Sequence, residues 1–219
     1  MKVNTDGVLL GALAGTGEPT SILDIGTGTG VIALMLAQRF PGAMVDAIDI
    51  DKQTIETAIQ NFEGSIFADR VQGQPKSFEN YFEQNPGVKY DLIVSNPPFF
   101  INALESTNSS KKLARHTNAH FFERLIQDAS SHLNENGFIW LILPPEVANI
   151  VQSIGLKHRL FVQNEIWVHS FQHSTPHRLL IAMAFQQKEI EKKSFIIYDQ
   201  PKKYSEHYQS LLKDFLTIF

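Results

Sequence analysis

Along the first two thirds of the chain, short apolar runs alternate with segments whose apolar residues recur every three to four positions. That alternation predicts a parallel sheet with helical crossovers. "SILDI" (21–25) is a buried-type strand, followed by a glycine turn and the helix "VIALMLAQRF". "AMVDAIDI" is the second strand. Ile55, Ile59 and Phe62 then fall at helical spacing in "DKQTIETAIQNF", an amphipathic crossover. "RVQGQPKSF" is a weak third strand, which Pro75 restricts to a sheet edge or a strand end. "YDLIVS" is the fourth strand, and residues 101–119, rich in Asn, Ser, Thr and Lys, read as a long mobile loop after it. Helix "AHFFERLIQDASSHL", strand "GFIWLIL" and helix "PPEVANIVQSIGL" follow.

The pattern then changes. "RLFVQNEIWVHSF" and "RLLIAMAF" are two strands joined by "QHSTPH", a loop too short for a helical crossover, so they pair antiparallel. "SFIIYD" is a candidate further strand and "YSEHYQSLLKDFLTIF" a closing helix. The prediction is one α/β domain spanning 1–219, a doubly wound, Rossmann-like sheet with one antiparallel strand near an edge. At 219 residues and 43% hydrophobic, the chain is long enough to bury such a core.

The chain has no cysteine, which excludes a disulfide framework, a thiolate metal site and a thiol nucleophile, and fits a cytoplasmic location. The apolar "GVLLGALAG" near the start resembles a signal peptide, but Lys2 is the only early positive charge and Asp6 sits in the would-be basic region, so it reads as part of the domain. No stretch reaches the ~18 unbroken apolar residues of a membrane span. The net charge of -4 hides an asymmetry: residues 1–110 carry a net of -7 and residues 111–219 a net of +3, and all eight histidines lie in the second part. A basic rim contributed by the second half would suit a nucleic-acid partner; ordinary surface variation fits as well.

Two motifs carry candidate chemistry. "LDIGTGTG" puts Gly26, Gly28 and Gly30 between the first strand and its helix, where a ligand sits at the carboxyl end of such a sheet. Asp49, 23 residues after Gly26, ends the second strand and suits the two hydroxyls of a ribose, while Asp51 suits the N-cap of the next helix. A dinucleotide fingerprint has the spacing G-x-G-x-x-G. Here it is G-x-G-x-G with Asp24 two residues ahead, an arrangement that resembles the first motif of S-adenosylmethionine-dependent methyltransferases and implies that Asp24 and the glycines face the methionine part of that cofactor.

The second motif is "SNPPFF" after the fourth strand. Pro97 and Pro98 remove two backbone N–H donors, so the carbonyls there face a cavity without competing donors. The Asn96 side-chain oxygen and the Pro97 carbonyl form a pair of acceptors matched to a planar NH2 group. Holding both hydrogens of such a group draws the nitrogen toward a tetrahedral shape and aims its lone pair, so positioning does most of the catalysis and no strong base is required. Phe99 suits stacking on a flat base and Phe100 the same pocket or the core; a base reached in this way is flipped or already unpaired. A plain strand terminator is the alternative reading of Asn-Pro-Pro.

Together, "KVNTDGVLLGALA", "LDIGTGTG", "SNPPFF", "ARHT", "PHRLLIAMAF" and "YSEHYQSLLKDF" resemble the bacterial valine-tRNA adenine-N6 methyltransferases. The resemblance implies a seven-stranded class I methyltransferase sheet of order 3-2-1-4-5-7-6, S-adenosylmethionine as cofactor, and the unpaired adenine after the anticodon as substrate. It also implies that "NTDG" packs over the cofactor, with Thr5 and Asp6 as contacts, and that Ser77 takes the position facing the cofactor adenine. Relatives of this kind commonly carry a basic, aromatic segment ahead of the motif with which this sequence opens. Lys111, Lys112, Arg115 and His116 are candidates for phosphate contact or a lid, and His173, His177 and Arg178 form a second candidate patch. The expected partner is tRNA, with no membrane and no metal, and the expected state is a monomer. Protein glutamine-N5 methylation, guanine-N2 methylation of ribosomal RNA and a non-catalytic cofactor-binding RNA module remain open alternatives; the glycine spacing disfavours a nicotinamide oxidoreductase.

Overall fold

The computed structural model describes residues 4–98 and 108–217, with side chains in the second span from residue 119 onward. In chain order the elements are α1 (Thr5–Leu13), β1 (Ser21–Ile25), α2 (Val31–Arg39), β2 (Met44–Asp49), α3 (Lys52–Glu63), β3 (Val71–Pro75), α4 (Phe78–Gln84) and β4 (Tyr90–Ser95). They continue with α5 (Asn108–Ser131), β5 (Leu133–Leu143), α6 (Pro145–Lys157), β6 (Phe161–His169), β7 (Arg178–Ala184), β8 (Glu191–Ile196), β9 (Tyr198–Gln200), β10 (Lys203–Tyr204) and α7 (Glu206–Leu212).

The main sheet has eight strands in the order β3-β2-β1-β4-β5-β7-β6-β8. Seven follow the expected order, and β8 is an addition that pairs parallel to β6, so the seven-strand expectation is corrected to eight. Only β7 runs against its neighbours, antiparallel to both β5 and β6. β3 is the edge strand at the other side and stops at Pro75, whose missing N–H ends the ladder there. β9 and β10 form a separate hairpin.

Strand side chains alternate between two cores. Ile22, Leu92 and Val94 join Leu9, Leu36, Phe62 and Leu212 from α1, α2, α3 and α7 on one face. Leu23, Ile25 and Ile93 join Phe82, Ile126 and Val151 from α4, α5 and α6 on the other. Both faces are therefore covered, as the continuous apolar runs of the parallel strands require. No helix among the described residues is long and apolar enough to cross a membrane.

Residues 108–119, read from sequence as loop, are the first turns of α5, and 101–107 lie outside the described residues. The segment carries no Gly or Pro, and an amphipathic helix already nucleated by Phe122, Leu125 and Ile126 extends through it at little cost.

Candidate active site

Register builds the site before any side chain is considered. β1 pairs with β2 so that Ile25 lies beside Ile48, and with β4 so that Ile25 lies beside Ser95. The next residues, Gly26, Asp49 and Asn96, therefore emerge together at the carboxyl edge of the sheet. The backbone N–H groups of Gly26 and Thr27 donate to the Ile48 carbonyl at 2.8 and 3.0 Å, and the Ser95 hydroxyl donates to the Ile25 carbonyl at 2.8 Å. These bonds tie the three strand ends to one another.

A cavity of about 780 Å³ opens at this edge. Gly26 and Gly28, Asp49, Ser77, Asn96, Pro97 and Pro98 all line it, as do Asn4 and Asp6 from the start of α1. The Asn96 corner thus faces the glycine turn across a shared space, and among the described residues none hydrogen-bonds its side chain. Phe99 and Phe100 lie outside the described residues. Lys111, Lys112, Arg115 and His116 fall on the α5 backbone, with side chains outside the described set.

The glycines of the turn do different work. Gly26 has φ of 72° and a Cβ there would meet nothing within 4 Å, so its bare backbone faces the cavity. Gly30, at φ of 87°, sits with its missing Cβ only 2.3 Å from the Phe62 ring. It is not among the cavity's lining residues and serves the packing of α2 against α3.

Asp49 is held by backbone donors. Its Oδ2 accepts the Gly28 N–H and its Oδ1 the Asp51 N–H, each at 2.9 Å, which fixes the carboxylate and leaves lone pairs for a diol. Asp51 caps α3, accepting the Thr54 N–H at 2.7 Å, as its position suggested. Asp24 is fully buried and does not line the cavity. Its Oδ2 accepts the Thr27 hydroxyl at 2.6 Å, and its Oδ1 has no partner among the described residues. Burial pushes its carboxyl up to about 7, against the pull of the Thr27 hydrogen bond.

Ser77 caps α4 by accepting the Asn80 N–H at 3.3 Å, which leaves its hydroxyl proton to donate. Thr5 is not a lining residue; it opens α1, which packs against α7. Its neighbour Asp6 accepts from Arg178 Nε at 2.7 Å, and this ion pair forms part of the far wall. The sequence-level patch of His173, His177 and Arg178 is therefore divided. Arg178 turns into the cavity, and His177 is half-buried with burial pushing its imidazole down. His173 alone is exposed.

Sequence reasoning missed the apolar lining. Ile50, 78% exposed, stands directly after Asp49, and Phe78 and Phe121 meet edge to face at 5.6 Å between centroids. An exposed isoleucine after a strand-ending acid was a legible signal; the Phe78–Phe121 contact joins α4 to α5 and had none. The charged lining is acidic, with Asp6, Asp49, Asp51 and Glu79 against Lys76 and Arg178. Such a cavity repels a pyrophosphate and suits a cationic ligand with a ribose and a flat base. The donor set fits S-adenosylmethionine: a carboxylate for the diol, apolar surface for the adenine, and surrounding negative charge for the sulfonium.

Comparison with known proteins shows the family and the fold. A family model described as methyltransferase small domain matches residues 5–152. A tRNA1(Val) (adenine(37)-N6)-methyltransferase of Pedobacter heparinus is 42% identical over 219 residues, covering 100% of this chain and 92% of the relative. A protein of the same name from Parabacteroides distasonis is 41% identical over 98% of this chain and 90% of its own length. Among solved structures, a predicted O-methyltransferase of Agrobacterium tumefaciens superposes with a TM-score of 0.75 at 17% identity, over 95% of this chain and 96% of that one, a likeness of fold.

Proposed function

The chain belongs to the methyltransferase small domain family and, within it, to the bacterial tRNA1(Val) (adenine(37)-N6)-methyltransferases, and from that premise we propose that it methylates N6 of the unpaired adenine 37 in valine tRNA. The observation that carries the chemistry is the meeting of Asn96 and Pro97 with the glycine turn and Asp49 on one cavity. S-adenosylmethionine, when bound, supplies an electrophilic methyl group on a positively charged sulfur.

In this reading the chain's own residues take the following roles. Gly26 and Gly28 give the cofactor a wall without side chains, Asp49 accepts from its ribose, and Ile50, Phe78 and the Ser77 hydroxyl receive its adenine. Asp24, buried beneath the turn, acts on the cofactor only by holding the loop through Thr27. Asn96 Oδ1 and the Pro97 carbonyl accept the two hydrogens of the substrate amine. Their fixed dipoles favour the pyramidal nitrogen of the transition state over the flat ground state, which is where catalytic binding energy has to act. Pro98 lines the same cavity, and on the sequence motif alone Phe99 and Phe100 are assigned to the substrate base and Lys111, Lys112, Arg115 and His116 to the RNA backbone. This reading carries with it a cytoplasmic location and action as a monomer, with residues 1–219 as one catalytic domain.

The test is methylation of bulk tRNA, ribosomal RNA and a release factor with labelled S-adenosylmethionine, the product identified by mass spectrometry. Label in N6-methyladenine of valine tRNA is expected; label only in protein or guanine rejects the reading. Asn96→Ala is expected to lower kcat by about a thousandfold, the scale of a lost transition-state acceptor, with cofactor affinity near normal. Retained turnover would place the amine elsewhere.

A further inference from the structure

A ladder of aromatic rings rises from the core to the surface beside the catalytic edge. Tyr208, buried in α7, stacks on Tyr204 at 4.8 Å between centroids and 12°; Tyr204 stacks on Tyr198 at 5.0 Å and 20°. Tyr198 meets Phe171 at 5.7 Å and 36°. Phe171 is the outermost ring and is 37% exposed.

The ladder is continuous with the cavity at two places. At its base, Tyr208 belongs to α7, which packs against α1, the helix that carries Asp6 on the cavity wall. At its outer end, Phe171 lies in the loop from β6 to β7, and that loop leads into Arg178, which lines the cavity. The β9–β10 hairpin is fastened there by Ile197 N–H donating to the His169 carbonyl at 3.0 Å and Tyr198 N–H to the Ser170 carbonyl at 2.9 Å.

The tip of this hairpin has an unusual choice of residue. Lys202 adopts φ of 64°, a left-handed conformation in which glycine is the unstrained option. Lys202 at the tip, Lys203 after it and His173 in the Phe171 loop are all exposed.

We infer that Phe171, backed by Tyr198 and Tyr204, with Lys202 exposed in the hairpin behind it and His173 exposed in its own loop, is a stacking platform for an unpaired nucleotide adjoining the target adenine. The inference rests on the RNA-methylating reading above. A ring already packed against Tyr198, itself stacked on Tyr204, is held in place before the base arrives, so the base loses little to ordering its partner. The exposed Lys202 and Lys203 put positive charge on the hairpin that backs the ring, placed for phosphate. The occupant is RNA rather than a protein helix because the outer end of the ladder offers one exposed ring with exposed cations in the hairpin behind it, not an apolar groove.

The experiment measures binding of a fluorescein-labelled valine anticodon stem-loop by anisotropy and, separately, methylation of full-length valine tRNA, in the wild type and three variants. Phe171→Ala is expected to weaken RNA binding about tenfold, and Phe171→Trp to restore it. In methylation, Phe171→Ala raises KM for tRNA with kcat at saturating tRNA kept. Lys202→Gly relieves the backbone, so it is expected to raise Tm while weakening RNA binding and reducing the slope of log K against log salt by about one. A wild type that methylates tRNA while all three variants bind the stem-loop equally well overturns the platform and leaves the function standing. A wild type that binds the stem-loop through Phe171 yet methylates no RNA overturns the function and leaves the platform. A change of sedimentation in Phe171→Ala without a change in RNA affinity would assign the ring to self-association and reject the proposal.

Discussion

The two walls of the cavity are made in different ways. The glycine-turn wall comes from neighbouring strand ends and is held by backbone: Ile48 receives the Gly26 and Thr27 amides, and Asp49 receives the Gly28 amide. The far wall joins Asp6 to Arg178 across 172 residues through a side-chain ion pair, 2.7 Å long and only partly shielded, with 16% and 23% of the two side chains exposed. The first wall is rigid because register fixes it. The second depends on α1 and β7 both being docked. A local motif announces the first wall in the sequence, and nothing local announces the second.

The largest expected effect tests how much stability the glycine-turn wall gives up for its buried acid. The Asp24 carboxyl is raised in the folded state, so its contribution is fully present below the ordinary carboxylate range. As pH rises toward 7 the unfolded chain releases its proton and the folded chain does not, and stability falls. The loss is on the order of 4 kcal/mol across that window and is complete above it. Asp24→Asn is expected to flatten this profile in urea denaturation at about pH 5 and about pH 8; an unchanged slope would mean that the acid is not strained. Next is Gly30→Ala. A left-handed backbone and a Cβ driven into Phe62 together cost about 3 kcal/mol, a fall in Tm of roughly 6 to 12 °C.

On the far wall, a double-mutant cycle of Asp6→Asn and Arg178→Gln is expected to give a coupling energy of about 2 kcal/mol from chemical denaturation. A coupling near zero would mean that packing of α1 alone builds that wall. Smallest in stability is Gly26→Ala, about 1 kcal/mol, because its Cβ meets open space. Calorimetry should nevertheless show cofactor affinity down about tenfold, since that space belongs to the ligand. The two glycine variants separate turn architecture from ligand approach within one motif.

The parallel half of the sheet was legible because its buried strands are short apolar runs cut by glycine and proline. α1 was not, and the reason is its burial: Gly7 through Ala12 are all buried, so the helix has no polar face and no period to read. The same uniform apolarity gives it the look of a leader sequence. α4 is a short helix signalled mainly by its Ser77 cap. β8 opens with Glu191, Lys192, Lys193 and Ser194, all exposed, so only its apolar end was legible, within "SFIIYD", while the charged start protects the edge from other chains. At the site, Asp49, Asn96 and the glycines were legible because strand ends fix them. Arg178 was read as part of a candidate patch with His173 and His177 and not as a partner of Asp6, because the order of strands and not spacing brings the two together.

One reversed strand, β7, has a consequence for how such an enzyme can change. It makes the chain pass the ligand edge once more after the donor-holding half is finished, leaving by His169 and returning by Arg178. The connection between those two residues can grow, shrink or be rewritten without shifting any crossover beneath the methyl donor. Choice of substrate can drift there while the transfer chemistry is inherited intact.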